Sequence, residues 1–112
     1  MDKQTAEDYV LLMLGAPIAK VPLSQDQLDF AYSQTLETIR AYEAEPAKRC
    51  ELTGEMRAEL TKAGTLAYAT YILASVLMLS PQKYQSDGLY ERAVDAMEKF
   101  KYDLSWALDY PD

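Results

Sequence analysis

Gly15, Pro17 and Pro22 stand close together near the start of this chain, and no continuous helix can run through them. Proline has no N–H to donate, its ring collides with the preceding turn, and the residue before it avoids the α region. Glycine is favoured just past a helix end. Whatever folds before Gly15 must therefore stop, and a new element must restart beyond Pro22. The restart is marked by Ser24, which with Gln27 forms the capping-box pattern S-Q-D-Q, while Leu23 and Leu28 hold the two hydrophobic-staple positions. This punctuation predicts a short helix over 5–14, an extended strap over 15–23 and a longer helix over 24–44. Pro22 keeps the strap out of a sheet interior.

Helical spacing organises the remainder. In the first helix Thr5 is placed to cap, with Asp8 three residues on, and Tyr9, Leu12 and Met13 form the apolar stripe beside Val10 and Leu14. In the second, Leu28, Ala31, Tyr32, Thr35, Ile39 and Tyr42 recur on one face, widened by Leu36, and Pro46 enforces an end. A polar connection over 46–52 carries Lys48, Arg49 and Cys50. A third helix is expected over 53–79, with Glu51, Glu55 and Glu59 at its electropositive start. Its small residues Ala63, Ala67, Thr70 and Ala74 form a strip for close approach, with bulk from Leu66, Leu73, Leu77 and Met78. Apolar on both faces, it should be the central helix. Asp87 should cap a fourth over 87–108, where Leu89, Ala93, Met97, Phe100, Leu104 and Leu108 line one face; Asp95/Lys99 and Glu98/Lys101 stand at pairing distance outside. The expected fold is all-α: a single small helical bundle of about four helices, one domain over 1–112.

A charge-free run over 63–82 invites a membrane reading. Its strongly apolar part, 66–79, is shorter than the roughly 20 residues a spanning helix needs, and Tyr68, Thr70, Tyr71 and Ser75 interrupt it. A buried core helix fits better. The chain is acidic, net −7, with 18 acidic side chains against 11 basic ones spread over both halves. No basic stripe exists to displace counterions from nucleic acid or to hold an anionic membrane. The single cysteine excludes an internal disulfide. The opening Met1-Asp2-Lys3-Gln4-Thr5 lacks the basic-then-apolar order of a signal peptide.

Catalysis finds little support. With no histidine there is no imidazole base, ligand or nucleophile partner. Lys48 and Arg49 would lower the pKa of Cys50, but a spectator thiol on a connection is the simpler reading. Glu51, Glu55 and Glu59 have a spacing that would cradle a divalent cation, but a solvated helix start favoured by the dipole is the simpler reading. Glu91, Asp95 and Glu98 lack the E-x-x-H partner of dimetal bundles. No catalytic, cofactor-binding or metal residue is expected. Nine tyrosines remain. Tyr32, Tyr42, Tyr68 and Tyr71 fall on or beside apolar faces, where they would pack in the core or serve a protein interface.

Leu14 to Pro17 (L-G-A-P), then Lys20, Val21, Leu23 and Ser24, then Gln27, Leu28, Asp29 and Ala31 resemble the small head–tail connector (neck or adaptor) proteins of tailed bacteriophages. The resemblance implies a virion protein assembled in the host cytoplasm: a homo-oligomeric ring, usually twelve-fold, docked between the portal protein and a tail-side neck or tail protein. DNA would pass through it without sequence-specific binding, and an acidic wall would repel phosphate. Such a ring needs two different patches per protomer. The strap residues Ile18, Lys20, Val21 and Leu23 would provide one, and surfaces near Tyr42, Tyr68 and Tyr71 the other. Two alternatives stay open: a non-viral helical adaptor that binds a partner helix in an apolar groove, and a small metal-dependent enzyme subunit using the Glu51/Glu55/Glu59 face.

Overall fold

The structure is a computed structural model that describes residues 2–13, 23–47, 50–78 and 89–109. Four helices account for the regular structure among them: α1 (Lys3–Met13), α2 (Gln25–Glu43), α3 (Gly54–Met78) and α4 (Leu89–Asp109), with no strand among the described residues. The longest, α3, spans about 37 Å at the usual helical rise and packs against all three others, as its two-sided apolar pattern requires. Among the described residues no helix is long and apolar enough to cross a membrane. The strap between α1 and Leu23, and the Asp87 cap, lie outside the described residues.

The start of α2 follows its sequence closely. Ser24 accepts from the Gln27 N–H at 3.0 Å while Gln27 accepts from the Ser24 N–H at 2.9 Å, so two otherwise orphan donors are satisfied at once. At α3 the Thr53 hydroxyl accepts from the Met56 N–H at 3.2 Å. Helix α1 departs from expectation. It begins two residues early, because the Asp2 carboxylate accepts from the Gln4 N–H and the Thr5 hydroxyl, leaving Thr5 inside the first turn. Its buried face is also different: Ala6 and Val10 are fully buried, whereas Tyr9 and Leu12 are exposed. Small side chains one turn apart let this short helix lie close to α3, and the Glu7 carboxylate fixes its rotation by accepting from the Leu23 N–H at 2.9 Å.

Two buried clusters form the core. One joins Ala6, Val10, Leu23, Leu28 and Ala31 to Leu66, Ala69, Leu73, Ala74 and Ala93; the other joins Ile39, Leu52 and Ala67 to Phe100, Leu104 and Leu108. Tyr68 packs against both. Leu66, Ala67, Leu73 and Ala74 are buried as α3's central position predicts, while the Leu77 side chain lies outside the described residues. The small-residue strip is shifted: Ala63 is exposed, and the tightest approach falls at Gly64. A methyl group there would run into Thr35 Cγ2 of α2 and stand 2.6 Å from Phe100 Cζ of α4. Helix α3 is pinched between its neighbours at Gly64, where there is no side chain to intervene.

Threonines serve this packing without leaving unpaired hydroxyls. Thr35, Thr65 and Thr70 are buried and donate to the carbonyls of Ala31, Thr61 and Leu66, four residues back, at 2.7–2.8 Å. Each satisfies its hydroxyl within its own helix and presents only a methyl to the neighbour. Where α2 ends and α3 begins, Arg57 clasps Glu43 with two hydrogen bonds, at 2.9 and 2.5 Å, which hold the guanidinium above its usual pKa. Outside α4, Lys99 pairs with Asp103 at 2.8 Å instead of Asp95. Asp103 is the less solvated carboxylate of the two and gains more from a cation.

Candidate functional site

The fold treats the described residues singled out for contact differently from one another. Ile18, Lys20 and Val21 lie outside the described residues. Leu23 is fully buried in the protomer's own core, seated by the start of α2 and the Glu7 hydrogen bond. Tyr42 is half-buried against the second cluster; burial first, then the charges of Glu45 and Tyr68, push its phenol above the ordinary value. Tyr68 is tied down more firmly. Thr38 already donates to the Gln34 carbonyl, so the Tyr68 hydroxyl donates to Thr38 Oγ1 at 2.5 Å, and its ring meets Phe100 edge-on at 6.5 Å. Tyr71 is exposed and meets Tyr90 of α4 at a centroid distance of 5.8 Å; their hydrogen bond raises the Tyr71 phenol. A crevice of about 330 Å³ lies beside this pair, lined by Tyr68, Tyr71, Val94, Met97, Glu98 and Lys101.

Cys50 ties the α2–α3 connection to α4. Its thiol lies 3.0 Å from the Ala107 carbonyl and 2.9 Å from that of Leu108, and its N–H donates to Leu108 O at 3.0 Å. The last carbonyls of a helix lack intrahelical partners. Cys50 supplies them, clamping the α2–α3 connection to the end of α4. Glu51, Glu55 and Glu59 are all exposed, and among the described residues no three His, Cys, Asp or Glu side chains gather as metal ligands would.

The prominent surfaces are elsewhere. On α4, Tyr102 is 65% and Trp106 53% exposed, one turn apart, their rings stacked at 6.4 Å with 24° between planes. At 100° per residue they project half a turn away from Phe100, Leu104 and Leu108, so they face outward while α4's apolar stripe faces α3. A large exposed aromatic pair costs solubility and is enriched at interfaces.

A second surface is concave. Helix α1 has 11 residues against 19 in α2 and 25 in α3, so it covers only part of the crease between them. Beyond its N-terminus at Asp2 and Thr5 a groove of about 830 Å³ opens, lined by Leu28, Tyr32 and Leu36 of α2 and by Arg57, Ala58 and Lys62 of α3, among others. Tyr32, on the expected core face, is instead 49% exposed at this groove. Among the described residues none of α4 lines it. The missed residues had one sequence signal: Tyr102 and Trp106 are large aromatics out of phase with the apolar stripe of their helix. No protein family, curated protein or solved structure matches this chain.

Proposed function

We propose that this protein is a structural assembly subunit, a non-catalytic component of a head–tail connector ring of a tailed bacteriophage, with the portal on one side and a tail-side protein on the other. The observation that carries the contact role is the pair of unlike surfaces, an outward aromatic face on α4 and an open groove bounded by α1, α2 and α3. A ring built from identical subunits uses two different patches on each protomer, and these two share no helix. The viral part of the reading rests on the resemblance around the strap and the capped restart at Ser24. Net charge −7 suits a channel that passes DNA without retaining it.

Electron microscopy of the purified protein, alone and mixed with a portal ring, tests this. Annular particles, or annuli seated coaxially on the portal, are expected. Protein that neither forms rings nor binds the portal would refute the connector assignment. The groove also favours a second reading, a helical adaptor that receives an amphipathic helix of another protein; capture of such a helix without any self-association would select it.

A further inference from the structure

We propose that the Tyr102–Trp106 face of one protomer docks into the α1–α2–α3 groove of a second copy of this chain. The inference rests on the assembly reading and assigns its contact.

Shape comes first. An aromatic side chain buries about 150–250 Å² when fully covered; with Tyr102 65% and Trp106 53% exposed, the pair offers about 180–300 Å² of the roughly 800 Å² that a standard interface takes from each partner. The turns of α4 on either side supply the remainder. The groove, at about 830 Å³, has room for two stacked rings, and Leu28, Leu36 and Ala58 give them apolar neighbours with Tyr32 beside them. Stacked rings one turn apart enter as a single projection, and their geometry is already set before contact, which lowers the ordering cost of association.

Charge then favours a copy of this chain as occupant. On the outward side of α4, Glu91, Asp95 and Glu98 are exposed in the turns before Tyr102. The groove carries Lys62 on α3, beside an Arg57 already held by Glu43, while Asp2 and Asp29 line its α1 and α2 sides. Lys62 is exposed and makes no ion pair with a described residue. An incoming α4 therefore has a preferred direction, its acidic turns over Lys62 and away from Asp2 and Asp29. Because projection and groove share no residue, every protomer can give one and receive the other. That is a heterologous contact, which closes into a ring or grows as a filament.

Sedimentation velocity on the full chain tests the pairing. One variant removes the projection (Tyr102→Ala with Trp106→Ala). A second fills the groove at an exposed position (Ala58→Trp), with Lys62→Glu as a milder partner should the tryptophan lower the melting temperature. The wild type should associate as concentration rises, and each variant alone should associate at least about tenfold more weakly. Mixed, the two variants should form a 1:1 dimer that grows no further, since one intact projection and one intact groove remain. A wild type that stays monomeric to millimolar concentration, variants that associate normally, or a mixture that forms no dimer would each overturn the pairing. Rings that persist in the Tyr102/Trp106 variant would refute this contact and leave the connector reading standing. Filaments that depend on both surfaces would do the reverse.

Discussion

Gly64→Ala is the most searching test of the packing. In an isolated helix the change is favourable, by about 1 kcal/mol of helix propensity. Here the added methyl would stand 2.6–2.7 Å from two ring atoms of Phe100 and would meet Thr35 Cγ2 more closely still. Carbon atoms rest about 3.5–4.0 Å apart, so neighbours on two helices must retreat by about an ångström. Neither retreats easily. Phe100 is 2% exposed and Thr35 fully buried, with its hydroxyl held by the Ala31 carbonyl. Overpacking of this kind costs about 1–3 kcal/mol and sometimes more. With the clash spread over two helices we place it at the upper end, about 3 kcal/mol, and after the propensity gain the net loss is about 2 kcal/mol. For a domain of this size that lowers the melting temperature by roughly 8–12 °C. Calorimetry or thermal circular dichroism reads it directly. Gly54→Ala is the control, because nothing lies within 4 Å of a Cβ there, and it should hold or raise the melting temperature. Thr35→Ser removes one clashing methyl and keeps the hydroxyl, so it should recover part of the loss in the Gly64→Ala background while costing stability alone. A Gly64→Ala protein as stable as the wild type would refute the pinched crossing of α3.

Three further outcomes follow from particular contacts. Leu73→Ala should cost about 2–5 kcal/mol by urea denaturation, because the side chain is fully buried among α3's neighbours. Cys50→Ala should cost about 0.5–1.5 kcal/mol by leaving the terminal carbonyls of α4 without the thiol, and Cys50→Ser, which keeps a donor, should cost less in the same titration. Tyr42 has a phenol pKa raised in the folded state, chiefly by burial, so its contribution is intact below the unfolded value near 10 and is lost as pH climbs through the folded one; Tyr42→Phe should flatten the fall in melting temperature above about pH 10.

The fold was legible wherever one residue type answers one local need. Ser24 and Gln27 formed the expected box because a capping oxygen and a returning side chain satisfy donors that nothing else nearby reaches. The α4 stripe held because Ala93, Phe100, Leu104 and Leu108 repeat at helical spacing and all turn inward. Helix α1 turns inward a different face from the one its bulky residues suggest. Its docking distance is set by α3, and Ala6 with Val10 satisfies that distance while Tyr9 and Leu12 do not. Gly64 escaped for a related reason. A glycine inside a helix reads as a local cost, and only the meeting of Thr35 with Phe100 shows what it makes room for.

The contact surfaces were harder to read because they are what remains after the core is assembled. Tyr68 and Tyr71 stand three residues apart on one helix, yet one is anchored through Thr38 and Phe100 and the other turns outward to Tyr90. Their fates depend on where α2 and α4 cross α3, which no periodicity in α3 records. The groove is more indirect, since it exists because α1 stops short of covering the α2–α3 crease. Tyr102 and Trp106 differ from both. Their phase relative to Leu104 is written in the chain, and once α4 packs by its stripe they can only point outward. An aromatic pair out of phase with a clean stripe is thus the one element of the site that depends on no other helix, which makes it the first place to perturb when asking what this protein touches.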